Sequence, residues 1–154
     1  MLVRGVIRKQ GLMIAKGNPK GIKGIADLPE VSYVNRQKGA GTRILLDYLM
    51  EKEGITPDQI YGYEKEEYTH TAVAAAVASG TADCGMGIYS AALTYDLDFL
   101  PLWDEQYDFL VAEESFDDAK VQEFIEVLRS EEFADRLEKM GGYALQNSGE
   151  RVEF

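Results

Sequence analysis

Histidine and cysteine are almost missing from this chain, with one of each, His70 and Cys84, in 154 residues. A zinc-type site needs three or four such ligands, so a histidine-based metal centre or a Cys/His cluster is excluded. A lone cysteine forms no internal disulfide, and Cys84 lies in the apolar run ADCGMGI, where it reads as a small buried hydrophobe. Long apolar runs are missing too. No stretch of 18 or more apolar residues predicts a membrane-spanning helix. The start, MLVRGVIRKQGLMIAKGNPK, has basic residues without the continuous apolar stretch and small-residue cleavage site of a signal peptide. Cytoplasmic residence is the expectation.

Positive charge is also scarce, with 16 basic residues against 27 acids and a net charge of −11. That balance argues against a nucleic-acid-binding face, which needs a broad basic surface. The basic residues are concentrated, however. Residues 1–43 hold nine Lys/Arg and two acids, a local charge of +7 against −18 for the rest. A small anion would find its counter-charge there. At 45% hydrophobic content and the length of one ordinary domain, the chain can bury a true core.

The spacing of apolar residues predicts alternating strands and helices. Gly11–Ala15 and Ser32–Asn35 read as strands, and a helix starts at Thr42 with Ile44, Leu45, Tyr48 and Leu49 in helical register, closing at Gly54. A brief strand is expected near Ile60–Gly62, then an alanine-rich helix through EEYTHTAVAAAVASG with Gly80 at its end. ADCGMGI reads as a buried strand and YSAALTYD as a short helix. LDFLPL and YDFLVAE are two further strands, and DDAKVQEFIEVLRS and EEFADRLEKMGG are amphipathic helices opened by acids. The pattern predicts an α/β fold with a mixed, largely parallel sheet flanked by helices.

Chemistry is most legible in YVNRQKGAGTR, where a strand ends, two glycines follow and a helix begins. Gly39 and Gly41 let the backbone approach a ligand, and the N–H groups of Gly39, Ala40, Gly41 and Thr42 face a helix start carrying partial positive charge. The Thr42 hydroxyl serves as N-cap or as a further donor, and Arg36 or Arg43 adds charge; together these suit an oxyanion. The same residues would also make a plain tight strand-to-helix connection. Neither a nucleoside-triphosphate loop nor a Gly-x-Gly-x-x-Gly turn is present. A second junction, CGMGIYSAA, repeats the logic with Gly85, Gly87, Tyr89 and Ser90, although its glycines equally suit close helix–sheet packing. Catalytic residues are not apparent: His70 reads as a capping or surface residue, and the acids of YEKEEY and WDEQYD as a solvated face.

The segments NPKGIKGIADL, VNRQKGAGTRILLDYL, GYEKEEYTHTAVAAAVASGTADCGMGI, LDFLPLWDEQYDFLV and GGYALQNSG resemble, in order, the periplasmic-binding-protein-like (PBP-like) domain. This domain is found with molybdopterin-biosynthesis (molybdenum-insertion) proteins and with molybdate-related helix-turn-helix regulators. The resemblance implies a type II periplasmic-binding-protein fold, with Arg36, Gly39, Gly41, Thr42 and Arg43 lining its cleft. It implies a molybdate, tungstate or molybdopterin-type ligand, and a fused or separate molybdenum-insertion or helix-turn-helix partner.

Measured against that family, 1–154 is expected to be a single lobe, with a crossover strand in 1–19, an α/β lobe in 20–112 and C-terminal helices in 113–154. The resemblance leads one to expect a preceding lobe, about 80–100 residues judged from typical domain sizes, that lies outside these residues, whether excised, encoded separately or replaced by a second copy in a homodimer. The expected function is a non-catalytic binding or sensing module for a small anion, with no direct nucleic-acid or membrane partner. The alternatives are a domain acting on a molybdopterin-type cofactor and a structural dimerisation lobe.

Overall fold

The computed structural model describes residues 1–152. In chain order the elements are β1 (Leu2–Ile14), β2 (Tyr33–Arg36), α1 (Gly41–Lys52), β3 (Glu66–Glu67), α2 (His70–Ala78), β4 (Cys84–Ile88), α3 (Tyr89–Thr94), β5 (Asp98–Leu110), α4 (Ala119–Leu128), α5 (Glu131–Met140), β6 (Tyr143–Ala144) and β7 (Arg151–Val152). The sheet is mixed, with strand order β3-β2-β4-β1-β5, and β6 and β7 pair with β1. β2 runs parallel to both β3 and β4, while β1 is antiparallel to β4, β6 and β7. The α/β class and the mixed sheet read from the sequence are both observed, but the sheet is not largely parallel as expected: among the described residues only the pairings of β2 are parallel, because the long β1 runs antiparallel to β4, β6 and β7.

The chain divides into two compact units, Gln10–Trp103 and the remainder, Met1–Lys9 with the chain from Asp104 onward. Within Gln10–Trp103 the pleat sorts side chains by face. Leu12, Ile14, Tyr33, Cys84 and Met86 join Leu46 and Met50 of α1 in one buried cluster. Met13 and Val34 join Val73, Ala74 and Val77 of α2 and Ala91 and Ala92 of α3 in another. Each fully buried Leu or Met contributes about 1.5–3 kcal/mol. Gly85 faces the second cluster, where an added Cβ would fall 2.4 Å from Val73 Cγ1; its lack of a side chain lets α2 lie close. In the other unit, Val3, Ile125 and Leu128 form a small core with Phe109, Val121 and Phe133 packed against it.

Four segments differ from the sequence reading, among them Glu66–Glu67, which form β3 where the helix through EEYTHTAVAAAVASG was expected to begin. β1 extends back to Leu2, and LDFLPL and YDFLVAE belong to one strand, β5. The apparent breaks were Pro101 and the charges on both strands. Pro101 is tolerated because β5 ends the strand order and so lies at an edge. The charges pair across the strands: Lys9 Nζ lies 2.9 Å from Asp104 Oδ1, and Arg8 pairs with Glu105. The strand expected at Ile60–Gly62 is a single bridge from Tyr61 to Ser32, and β3 forms later.

Cys84 is fully buried, and burial pushes its thiol up to about 12, with the nearby Asp83 charge adding to the rise. The unfolded thiol ionises near about 8.5, so between about 8.5 and 12 the unfolded chain loses a proton that the folded one keeps. Cys84 should therefore cost stability at about 1.4 kcal/mol per pH unit across that window. Urea unfolding from pH 8 to 11 should show this decline reduced by that slope in Cys84→Ala; parallel curves would contradict it.

Candidate functional site

The parallel pairings of β2 with β3 and β4 align their carboxyl ends, and α1, α2 and α3 follow them. Open α/β sheets collect ligands along such an edge. All the residues below lie in Gln10–Trp103.

At the first junction Gly39 has φ +88°, and both Gly39 and Gly41 have open space where a Cβ would go. Ala40 is the N-cap of α1 and offers no side-chain cap. The first helical acceptor is used by Ile44 N–H, on Ala40 O at 3.0 Å, so the N–H groups of Gly41, Thr42 and Arg43 have none within the helix. Thr42 is buried one residue into the helix rather than capping it, and its hydroxyl donates to Gln10 Oε1 at 2.8 Å. That bond ties the helix start to β1.

The two arginines have separate surroundings. Arg43 is 4% exposed, donating from Nη1 to Arg36 O at 3.1 Å and to Glu66 Oε1 at 2.6 Å, with its guanidinium 4.7 Å from the Tyr63 ring centroid. Burial alone would lower its pKa, but Tyr63 and Glu66 outweigh burial and raise it. Arg43 thus braces the turn from inside. Arg36 is half-buried; it donates from Nε to Gln37 Oε1 at 3.2 Å and from Nη2 to Tyr68 O at 3.3 Å, and its Nη1 lies 3.2 Å from His70 Nδ1.

At the second helix start the cap is Thr69, whose hydroxyl accepts from Ala72 N–H at 3.0 Å. His70, assigned a capping or surface role from sequence, is the first residue of α2 and meets Arg36. At the third, Gly87 is buried, and an added Cβ would come within 2.6 Å of Met13 Cε and 3.3 Å of His70 Nδ1. Gly87 lies opposite Gly11, and Ile88 opposite Gln10. Contacts thus run from Thr42 through Gln10 to β4, and from Gly87 through His70 to Arg36.

Tyr89 and Ser90 are half-buried at the start of α3. The Tyr89 ring packs edge-on against Phe99 at 5.4 Å and lines a pocket of about 410 Å³ with Ile14, Ile22 and Leu93. Sequence reading missed His70, Gln10 and Glu66 as members of the site region. The available signal was His70 beside a helix start and a Gly-x-Gly strand. Gln10 and Glu66 gave none.

The chain matches the PBP superfamily domain over residues 1–129. It belongs to that family. Among relatives of this PBP domain, the uncharacterized protein YvgK of Bacillus subtilis (strain 168) is 39% identical over 153 residues, 98% of this chain and 49% of YvgK. The chain therefore spans about half of that relative's length. A substrate-binding domain ascribed to a molybdenum ABC transporter of Clostridium difficile superposes with a TM-score of 0.66 at 18% identity, over 92% of this chain and 65% of that one. A substrate-binding protein ascribed to a phosphate ABC transporter of Clostridium perfringens, solved with bound phosphate, gives 0.63 at 17% identity, over 91% and 70%. At these identities the structures share the fold of the PBP domain. Among its described residues no helix is long and apolar enough to cross a membrane, and no group of three or more His, Cys, Asp or Glu could hold a metal ion.

Proposed function

We propose that this PBP domain is a non-catalytic binding or sensing module for a small oxyanion, with molybdate and tungstate as first candidates and a phosphate-bearing molybdenum-cofactor ligand as the wider class. The observation that carries this reading is the Arg36 guanidinium at the start of α2, on the last residue of β2 and at the carboxyl edge of parallel strands, with the start of α1 following in the chain. Helix starts offer unpaired N–H groups and about half a positive charge, and an arginine supplies a charge-assisted partner for an oxyanion. The acidic remainder of the chain gives this positive edge its contrast. Family membership supports a binding module, and the bound phosphate of the C. perfringens protein supports an anion as its ligand class. A fused or separate molybdenum-insertion or helix-turn-helix protein would read out occupancy, in a cytoplasmic setting.

Titrating molybdate, tungstate, sulfate and phosphate into 15N-labelled protein tests the reading. The amide signals of Gly39, Gly41, Thr42 and Thr71 should move together and saturate with one oxyanion preferred. Shifts confined to other regions, or none at all, would sink it.

A further inference from the structure

The contact between Arg36 Nη1 and His70 Nδ1, at 3.2 Å, has a chemical direction. A guanidinium carries five N–H donors and no acceptor, so the imidazole must accept. Nδ1 therefore holds the lone pair, and the ring proton sits on Nε2. The histidine side of this contact is built into the fold. His70 begins α2 behind the Thr69 cap, and its ring lies where a side chain at position 87 would crowd it, 3.3 Å from an added Cβ. Arg36 also donates to the side chain of Gln37, its chain neighbour, and to the Tyr68 carbonyl. His70, unlike Gln37, is carried on a helix.

We propose that His70 is a positioning residue of the anion site: as the Nε2–H tautomer, it holds the Arg36 guanidinium in place through Nδ1 before the ligand arrives. This inference rests on the anion reading above. An arginine fixed in advance loses less side-chain freedom on binding, so affinity rises without a further ligand contact. Gly87 has no side chain to crowd Met13, which an added Cβ would meet first, or the imidazole beyond it.

Three variants and one spectrum test it. In His70→Asn the amide oxygen stands near the place of Nδ1; His70→Gln reaches toward Nε2 instead, and His70→Ala removes both. Calorimetric titration with molybdate and with sulfate should show affinity weakened about 5–10-fold in His70→Ala and His70→Gln, the ordering cost of one long side chain no longer fixed in advance. His70→Asn should stay within about 2-fold of the unmodified protein, and all three variants should remain folded, with the melting temperature of His70→Ala and His70→Gln lowered by only a few degrees. Because the chain has a single histidine, 15N imidazole shifts read its tautomer directly, and Nδ1 should be unprotonated at neutral pH. A proton on Nδ1, or equal losses in His70→Asn and His70→Ala, overturns the proposal. Oxyanion binding that all three variants leave unchanged overturns it while the anion reading stands. An unmodified protein that binds no oxyanion overturns both.

Discussion

Gly62→Ala should abolish folding of Gln10–Trp103. Gly62 has φ +98°, and a Cβ built on it would lie 1.8 Å from Tyr33 O and 2.8 Å from Tyr33 C. Those are backbone atoms of β2, and Tyr33 is 1% exposed and paired in register with Cys84 of β4. A flexible side chain could swing aside, but this strand cannot move without breaking its pairing. The backbone conformation alone costs about 1–2 kcal/mol for a residue with a Cβ. The clash should raise the total beyond about 4 kcal/mol, a large share of the stability of an ordinary domain. Gly80→Ala separates the two effects, since Gly80 has φ +81° with open space around it and should lose about 1–2 kcal/mol. Circular dichroism and urea unfolding compare the pair. Equal, mild losses would show that the Tyr33 carbonyl yields.

The second large effect separates the two arginines. Arg36→Ala should leave stability within about 1 kcal/mol, because only half-buried hydrogen bonds are lost, and should weaken oxyanion binding about 10–100-fold. Arg43→Ala should do the opposite in kind. It removes the partner of Glu66 and the cation over Tyr63, and leaves Arg36 O without its donor. The expected loss is about 2–4 kcal/mol, somewhat less than for a fully buried pair because Glu66 keeps some contact with water. Any binding defect in Arg43→Ala would follow the loss of fold. A stable Arg43→Ala protein with selectively lost binding would reverse the two roles.

The strand–turn–helix of residues 33–52 was readable because its signals are local: two glycines, then helical spacing. The nature of the second junction was less so. Gly85 and Gly87 suit either a ligand or a close helix, and the structure sets them against Val73 and against Met13 and His70. Much of the basic excess in residues 1–43 is matched by acids from distant parts of the chain. Arg8 meets Glu105, Lys9 meets Asp104 and Lys16 meets Asp96, at separations of 97, 95 and 80 residues. No local pattern announces such pairs. Likewise the partner of Thr42 is Gln10, 32 residues earlier. A one-residue shift changes the face of a strand-end arginine, so the sequence left Arg36 and Arg43 interchangeable. The structure gives Arg43 to the interior and Arg36 to the start of α2.

The most direct test is calorimetric titration of tungstate into the unmodified protein and Arg36→Ala under the same salt. The account predicts saturable heat in the first and a binding constant at least about 10-fold weaker in the second, with both proteins equally folded. Equal affinities would contradict it, because the charge beside the helix starts would then have no part in holding the anion.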